Sequence, residues 1–237
     1  ASLGSLVECF ADPEVGAASG ELVIREGDTR QEADIGLYWR YEKWMRRRLS
    51  RIDSILGATG CIYAMRRELA ATIPADMLLD DVYLPLAAFF RGYRIVLEDR
   101  AKAYDSPTSL DTEFRRKVRT LAGVYQVIRA YPALLGPSNR MWFHFVSHKV
   151  GRLLLPWVIL CAAIASLFLA EPWRTVALAG QGLFYGLAVA DFALPDGWAL
   201  KRITSPARTL VVLLAAALCA VSVFVVPGQK LWTSTRV

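Results

Sequence analysis

The run LLLPWVILCAAIASLFLA occupies positions 153–170 and contains no charged residue. Two more uncharged runs follow it, so that residues 151–237 hold only 7 Lys+Arg and 3 Asp+Glu. A helix that spans a bilayer needs roughly 20 predominantly apolar residues. We therefore predict about three transmembrane helices in this part of the chain, at about 153–170, 175–193 and 209–229. The middle run is marginal in length, and a re-entrant segment is the alternative there.

Residues 1–150 have a different composition, with 21 Lys+Arg balanced by 19 Asp+Glu. The whole chain is 54% hydrophobic, which excludes a disordered protein. Its net charge of +6 raises the question of a nucleic-acid partner. However, no Asp or Glu lies between Glu113 and Glu171, and the basic residues of this interval lead directly into the first apolar run. The distribution favours a membrane flank over nucleic-acid binding.

Alternating strand and helix patterns precede the apolar runs and predict an α/β domain over residues 1–113. The expected strands are 15–24, 61–65, and a pair at 93–97 and 101–104 around the polar turn 98–100. The expected helices are 1–10, 37–56, 67–73 and 82–90. Residues 114–150 form a basic segment whose apolar spacing predicts an amphipathic helix at the membrane interface.

The flanking charges predict the orientation in the membrane. Lys201, Arg202 and Arg208 flank the loop between the second and third apolar runs, whereas the loop before it carries only Arg174. The positive-inside rule then places residues 1–150 and the loop 191–208 in the cytoplasm. Three spans would leave the tail outside, although its Lys230 and Arg236 argue against that side.

The adjacent acids Asp80 and Asp81 are the strongest candidates for chemistry. They follow an apolar triplet and open an apolar helix. One interpretation is structural, with a helix N-cap and a first-turn acid stabilised by the helix dipole. The other is a general base, because a carboxylate aimed at a substrate hydroxyl can take its proton as the new bond forms.

Two further motifs bracket these acids. The loop Gly57-Ala58-Thr59-Gly60 lets the backbone turn sharply or approach a ligand closely. The basic run that includes Arg116 and Arg119 is typical either of a positive-inside flank or of phosphate binding by guanidinium groups. The four cysteines are far apart and show no metal-ligand spacing.

The chain resembles the family 2 glycosyltransferases in the order of its motifs. These motifs are GATGCIYAMRR (57–67), LDDVYL (79–84) and FRGYR (90–94), followed by the basic helix and the apolar runs. The family consists of membrane-bound enzymes of the GT-A type, related to cellulose, hyaluronan and poly-N-acetylglucosamine synthases. The resemblance implies that Asp81 is the catalytic base and Asp80 its supporting neighbour. It also places Gly57, Ala58, Thr59 and Gly60 near the acceptor, and Arg116 and Arg119 at the diphosphate.

The chain departs from the family in two places. The family's Gln-x-x-Arg-Trp motif falls on residues 116–120, where only Arg119 matches and Thr120 replaces the tryptophan, which argues against processive synthesis. The family's nucleotide-binding strand and metal-binding Asp-x-Asp precede a segment like residues 1–10, and no Asp-x-Asp occurs in this chain. We therefore expect the C-terminal half of the catalytic domain with its membrane helices, inactive alone, with Mg²⁺ or Mn²⁺ ligands outside it.

The resemblance predicts an inverting transfer of a sugar from a nucleotide-sugar to a glycan or lipid-linked acceptor. The protein would be a multi-pass protein of the bacterial inner membrane, with its catalytic part cytoplasmic. The alternative is a non-catalytic membrane anchor or scaffold, in which the same acids and arginines are structural. A transporter is less favoured, because the three apolar runs hold no charge.

Overall fold

The computed structural model describes residues 2–24, 30–105, 110–195 and 198–233. Its described part contains one three-stranded sheet, built from β1 (Val15–Ile24), β2 (Tyr63–Met65) and β3 (Arg94–Asp105). The strand order is β2-β1-β3, with β1 antiparallel to β2 and parallel to β3. Ala17 and Ala18 in the central strand are fully buried, as expected for a strand covered on both faces.

The polar stretch 98–100 does not separate two strands, as the sequence pattern predicted. β3 is continuous, and it changes register against β1 between the pairs Ser19–Leu97 and Glu21–Lys102. The intervening residues of β3 bulge out of the ladder, because only one residue of β1 lies opposite them. The Arg100 side chain holds the bulge by donating to Glu98 (2.8 Å) and to Glu8 (2.9 Å).

Four helices surround the sheet: α1 (Ser2–Glu8), α2 (Arg30–Ile52), α3 (Asp80–Phe89) and α4 (Leu110–Ala130). Short 3₁₀ turns occupy Cys9–Ala11, Arg67–Leu69 and Pro132–Leu135. The helix expected at 67–73 is therefore only a 3₁₀ turn, because the backbone is already extended at Ala70. The helix expected at 37–56 ends at Ile52, and the N–H of Ile55 instead donates to the Ile95 carbonyl at 2.9 Å.

Three helices are long and apolar enough to cross a membrane: α5 (Trp142–Ser166), α6 (Trp173–Ala193) and α7 (Lys201–Phe224). Their outward surface is apolar, with side chains such as Leu154, Trp157, Val158 and Val176 exposed. A contiguous apolar surface of this extent suits lipid better than water. A short helix, α8 (Gly228–Thr233), follows them.

The bounds of two of these helices correct the sequence prediction. The first begins at Trp142 rather than at 153, so part of the segment expected at the interface already belongs to α5. The third runs from Lys201 to Phe224 rather than over 209–229. Its first turns carry Arg208, which was expected in a loop and is instead only 5% exposed.

A buried polar cluster explains why the third helix begins so early. The Asp191 carboxylate accepts hydrogen bonds from Thr204 (2.6 Å) and Ser205 (3.1 Å) and pairs with Arg208 at 2.9 Å. Asp191 and Thr204 are completely buried. The acid at the end of α6 thus satisfies polar groups on the first turns of α7 and joins the two helices.

One apolar core connects the sheet to the first long helix. Ile95 of β3, Phe89 of α3, Val127 of α4 and both Phe145 and Leu153 of α5 belong to the same buried cluster. A second cluster joins α4 to the end of α7 through Ala122 and Ala220. α4 therefore lies between the sheet domain and the candidate spans, beside them rather than away from them.

An ion cluster ties α2 to α5. Glu42 accepts from Arg152 at 3.1 Å, and the same guanidinium lies 2.6 Å from His148 Nε2. Because a guanidinium can only donate, His148 Nε2 is the acceptor and the ring is neutral in this arrangement. Burial alone would raise the pKa of Glu42, but the charges of Lys149 and Arg152 lower it to about 2.

We expect Glu42→Gln to reduce the free energy of unfolding by about 2 kcal/mol at neutral pH, because it removes a largely buried carboxylate from Arg152. The pKa of Glu42 is depressed in the folded protein. Its contribution is therefore complete above the ordinary value of 4.5 and declines as the pH falls towards 2. Melting temperatures of the full-length protein in detergent, measured against pH, test this. The difference from the wild type should shrink in acid. The exposed Glu68→Gln is the control, and a pH-independent difference would contradict the ion-pair explanation.

Candidate active site

The two acids begin helix α3, and the structure assigns them different surroundings. The N-cap position belongs to Leu79, so neither acid is the capping residue. Asp80 is exposed, whereas Asp81 is partly buried. A Cβ placed on Gly60 would lie 3.0 Å from Asp81 Oδ2, so this carboxylate rests directly against the glycine loop. The N-cap part of the structural interpretation is therefore wrong, but both acids do lie in the first turn of α3, as its second part expects. A functional carboxylate at Asp81 is also compatible with the geometry.

The glycine loop passes beside the start of α3. The Ala58 N–H donates to the Asp81 carbonyl at 2.8 Å, which joins the loop to the helix. Gly57 adopts a φ of 126°, a conformation that residues with a side chain rarely reach. A Cβ there would also lie 2.8 Å from a methyl group of Val82. Gly57 and Gly60 are therefore required for different reasons, the first by its backbone and the second by the carboxylate beside it.

Arg46 fixes the other side of the loop. From α2 its guanidinium donates to Ser19 Oγ at 3.0 Å and to the Gly57 carbonyl at 3.3 Å. Ser19 Oγ in turn accepts the Thr59 N–H at 2.8 Å. A buried strand residue and a helix residue thus hold the loop backbone in one conformation. Such rigid support is what a reactive group needs to stay in a productive position.

Charges of both signs act on Asp81. Burial raises its pKa, and the neighbouring Asp80 carboxylate raises it further. Three cations lower it again: Lys149 of α5, Arg46 of α2 and Arg119 of α4. The balance leaves the pKa above the ordinary value of an aspartate. A partly desolvated carboxylate of raised pKa is a stronger proton acceptor than one in water, as a general base requires.

The two arginines predicted for phosphate binding lie on α4. Burial and the charge of Arg116 lower the pKa of Arg119. The nearby charges of Asp81 and Asp80 act in the opposite direction and raise it. Arg116 instead faces Asp105 at the end of β3, with 3.8 Å between the charged atoms. The structure therefore brings Arg119 to the acids, while Arg116 is partly engaged elsewhere.

Sequence reasoning missed the contributions of α2 and α5. Arg46 lies within the helix predicted at 37–56, to which the sequence analysis gave no functional role, and His148 and Lys149 lie within the segment predicted at the membrane interface. Together with Glu42 they line a cavity of about 60 Å³ whose other wall includes Gly57 and Ala58. No local spacing relates these positions, so only the fold reveals that they meet.

A larger open groove of about 710 Å³ lies at the start of β3, lined by residues such as Arg51, Tyr93, Arg94 and Arg140. Its cations serve structural contacts. Arg94 donates to the Asp53 carbonyl at 3.1 Å, and Arg140 donates to the Tyr93 carbonyl at 2.6 Å. The groove contains no counterpart of the acid and glycine loop around Asp81, so the smaller cavity marks the better candidate site.

Within the described residues, no group of three or more His, Cys, Asp or Glu side chains is arranged to hold a metal ion. Asp80 and Asp81 are the nearest approach to such a group, and cations rather than further ligands surround them. These residues therefore do not fit a divalent metal centre of their own.

Comparison with solved structures identifies a similar fold. The mannosyltransferase PcManGT from Pyrobaculum calidifontis, solved in complex with GDP-Man and Mn²⁺, matches with a TM-score of 0.61 and 20% sequence identity. The match covers 94% of this chain, which spans 57% of the length of that protein. No protein-family model and no curated protein matches the sequence. The chain therefore has a glycosyltransferase-like fold, shown by structure rather than by sequence.

We expect Gly57→Ala to cost about 3 kcal/mol, because it combines backbone strain with overlap against Val82. Gly92→Ala is the matched control: Gly92 has a φ of 94° but open space where a Cβ would lie, so it should cost only about 1 kcal/mol. Denaturation of the full-length protein in detergent compares the two. Adding Val82→Ala to Gly57→Ala should recover the extra loss of stability that Gly57→Ala shows over Gly92→Ala. Equal losses of stability in Gly57→Ala and Gly92→Ala would show that the overlap with Val82 is unimportant.

Proposed function

We propose that this chain is the acceptor-side part of a membrane-bound, inverting family 2 glycosyltransferase. The observation that carries the proposal is the Asp81 carboxylate, which lies against Gly60 in a glycosyltransferase-like fold and whose pKa three nearby cations lower against burial. In this reading Asp81 takes the proton of an acceptor hydroxyl. The hydroxyl oxygen forms a bond to the anomeric carbon of the donor, and the bond from that carbon to the diphosphate breaks, so that the nucleoside diphosphate leaves with the electron pair.

The surroundings of Asp81 suit this role. Its raised pKa makes it a competent base, and Asp80 supports it by adding negative charge beside it. Gly57, Ala58, Thr59 and Gly60 would pass close to the acceptor sugar, since a loop without bulky side chains leaves its backbone accessible.

Arg119 would bind the diphosphate of the donor. It is near enough to Asp81 and Asp80 to interact with their charges, and it carries the charge that a leaving diphosphate needs. Arg116, one turn earlier, would assist from its position next to Asp105. A guanidinium offers paired donors to phosphate oxygens, which suits both positions.

The nucleotide-sugar site and the Mg²⁺ or Mn²⁺ site belong, in this proposal, to a part of the enzyme outside the described residues. PcManGT was solved with GDP-Man and Mn²⁺, and this chain matches 57% of it. A divalent metal bound there would neutralise charge on the leaving diphosphate. The acceptor in this proposal is a glycan or a lipid-linked sugar.

The membrane location follows from the three candidate spans and the flanking charges. The sheet domain and the α6–α7 connection would face the cytoplasm, next to a bacterial inner membrane. α4 would lie along the membrane face, because its apolar side packs on the end of α7 and its outer side carries arginines. The bilayer is then a structural partner of the enzyme.

A non-catalytic membrane anchor or scaffold is the alternative. It requires that the acids at the start of α3 act only through helix stability. The N-cap at Leu79 and the placement of Asp81 against Gly60 favour the catalytic reading, because a first-turn acid needs neither a glycine loop nor surrounding cations.

We expect Asp81→Asn, in the full-length protein, to reduce sugar transfer by about 10²- to 10⁴-fold, since an amide cannot accept the proton. Asp80→Asn should be milder, because Asp80 supports the base without taking the proton. Radiolabelled transfer from the nucleotide-sugar in membranes is the assay, with donor affinity measured in parallel.

Asp99→Asn is the control for removing a carboxylate, because Asp99 is exposed on the β3 bulge. Donor affinity should stay within about twofold in all three variants, since the acids lie on the acceptor side. Turnover of Asp81→Asn at the wild-type rate would refute the base assignment and favour the scaffold alternative.

The orientation has its own test through Cys61, which is exposed in the sheet domain. A membrane-impermeant maleimide should label Cys61 in inverted vesicles and fail to label it in right-side-out vesicles. Cys161 and Cys219 lie in the candidate spans and should be protected by lipid in both. Cys61→Ser is the control, and labelling of Cys61 from outside would reverse the proposed topology.

A further inference from the structure

Helix α5 changes its winding next to the candidate active site. Residues Val146–Val150 form a π-helical turn between two α-helical segments. Such turns are rare, and they occur frequently at functional sites, where the extra residue redirects side chains. This turn contains His148 and Lys149, and both line the cavity beside the glycine loop.

The two neighbouring residues are committed to the contact with α2. Arg152 pairs with Glu42 at 3.1 Å, and His148 accepts from the Arg152 guanidinium at 2.6 Å. The Lys149 ammonium differs from them. Throughout the part of the chain that the structure describes, no hydrogen bond or ion pair within 4.0 Å involves it, although it is partly buried. Its nearby opposite charges are Glu42 on α2, which also lines the cavity, and Asp81, which directly precedes the cavity-lining Val82.

The size of the cavity decides what Lys149 does there. At about 60 Å³ it holds a few water molecules and is too small for a sugar. A pocket for part of the substrate is therefore not the explanation. Val82, which lines the same cavity, directly follows Asp81, so the Lys149 charge acts on that carboxylate instead.

We propose that Lys149 is a positioning residue of the active site, which extends from the membrane helix α5 to supply the positive charge that faces the Asp81 carboxylate. The inference rests on the proposed function, in which Asp81 is the base. It adds that a residue of a candidate membrane span, more than sixty positions away in sequence, governs when that base is ready to accept a proton.

The electrostatic surroundings support the assignment. Asp81 is acted on by Asp80 on its own helix and by Arg46 and Arg119 from α2 and α4, and it faces the Cys61 thiol and Tyr63 phenol across the loop. Among the cations, Lys149 exerts the largest effect on the pKa of Asp81. Arg46 is engaged by Ser19 and Gly57, whereas the Lys149 ammonium has no such contact in the part of the chain that the structure describes.

The test is the pH profile of transfer by the full-length enzyme. The acid limb of kcat/KM for the acceptor reports the pKa of the essential base in the free enzyme. Removing a nearby cation raises the pKa of a carboxylate, so in Lys149→Met this limb should move to higher pH by about one unit. Transfer on the alkaline plateau should stay within about threefold of the wild type, because the base is fully ionised there.

Three further variants make the result specific. Lys149→Arg keeps the charge and should keep the limb in place, while Lys149→Gln should behave like Lys149→Met. Lys102→Met removes an exposed lysine of β3 and should change neither limb nor plateau. Melting temperature and donor affinity, measured for each, establish that the variants are folded.

Each remaining outcome contradicts the inference. A lower plateau with an unmoved limb would show that Lys149 is only structural, and so would a failure of both neutral variants to fold. An unmoved limb and plateau would show that it has no role. These results leave the proposed function intact if Asp81→Asn is inactive, whereas an active Asp81→Asn would overturn the base assignment itself.

Discussion

Apolar packing runs without interruption from the sheet into the first long helix, and the rest of the structure depends on it. Ile95 of β3, Phe89 of α3 and both Phe145 and Leu153 of α5 are at most 3% exposed and belong to one cluster. Each such side chain contributes about 1.5–3 kcal/mol when fully buried. This packing fixes the rotation of α5 about its axis. It therefore decides that His148 and Lys149 face α2 and the glycine loop rather than lipid.

The same packing buries Asp81 and so disfavours its ionised form, and cations on the surrounding helices act against this effect. An acid held against a glycine loop loses water, and a second acid beside it disfavours ionisation further. One cation on each of three helices lowers the pKa of Asp81 against these effects: Lys149 of α5, Arg46 of α2 and Arg119 of α4. Lys149 also acts on Glu42 of α2, whose pKa it lowers together with Arg152 against the effect of burial.

The sequence was sufficient for the parts of the fold that local periodicity determines. Strand β1, helix α3 and the three apolar helices lie where the patterns predicted, apart from shifted ends. The failures have one cause. The stretch 98–100 has turn composition, yet parallel pairing with β1 on both sides holds it as a bulge. The early start of α7 depends on Asp191, a partner more than ten residues away, and no local signal announces such a contact.

The residues of the candidate site likewise fall into those that local sequence motifs predicted and those that only the fold reveals. Asp81 and the glycine loop were found because each has a recognisable local motif, and the structure brings them into contact. Arg46, Glu42 and Lys149 were not found, since a charged residue on a helix face is ordinarily a solvated one. Only burial against a partner distinguishes it, and burial is a property of the fold.

The position of α4 bears on what the site can hold. A Cβ on Gly123 would lie 2.5 Å from Leu79 Cγ, so α4 packs closely against the residue that precedes the two acids. This contact brings Arg119, one turn before Gly123 on α4, near Asp80 and Asp81. The following residue, Thr120, donates a hydrogen bond from its hydroxyl to the Arg116 carbonyl at 2.8 Å, so this hydroxyl has its partner within the helix. Neither group offers an aromatic face on which a sugar ring stacks. In the proposed function, a site without such an aromatic face would hold the acceptor less firmly, which would favour one transfer followed by release over continued elongation of a retained chain.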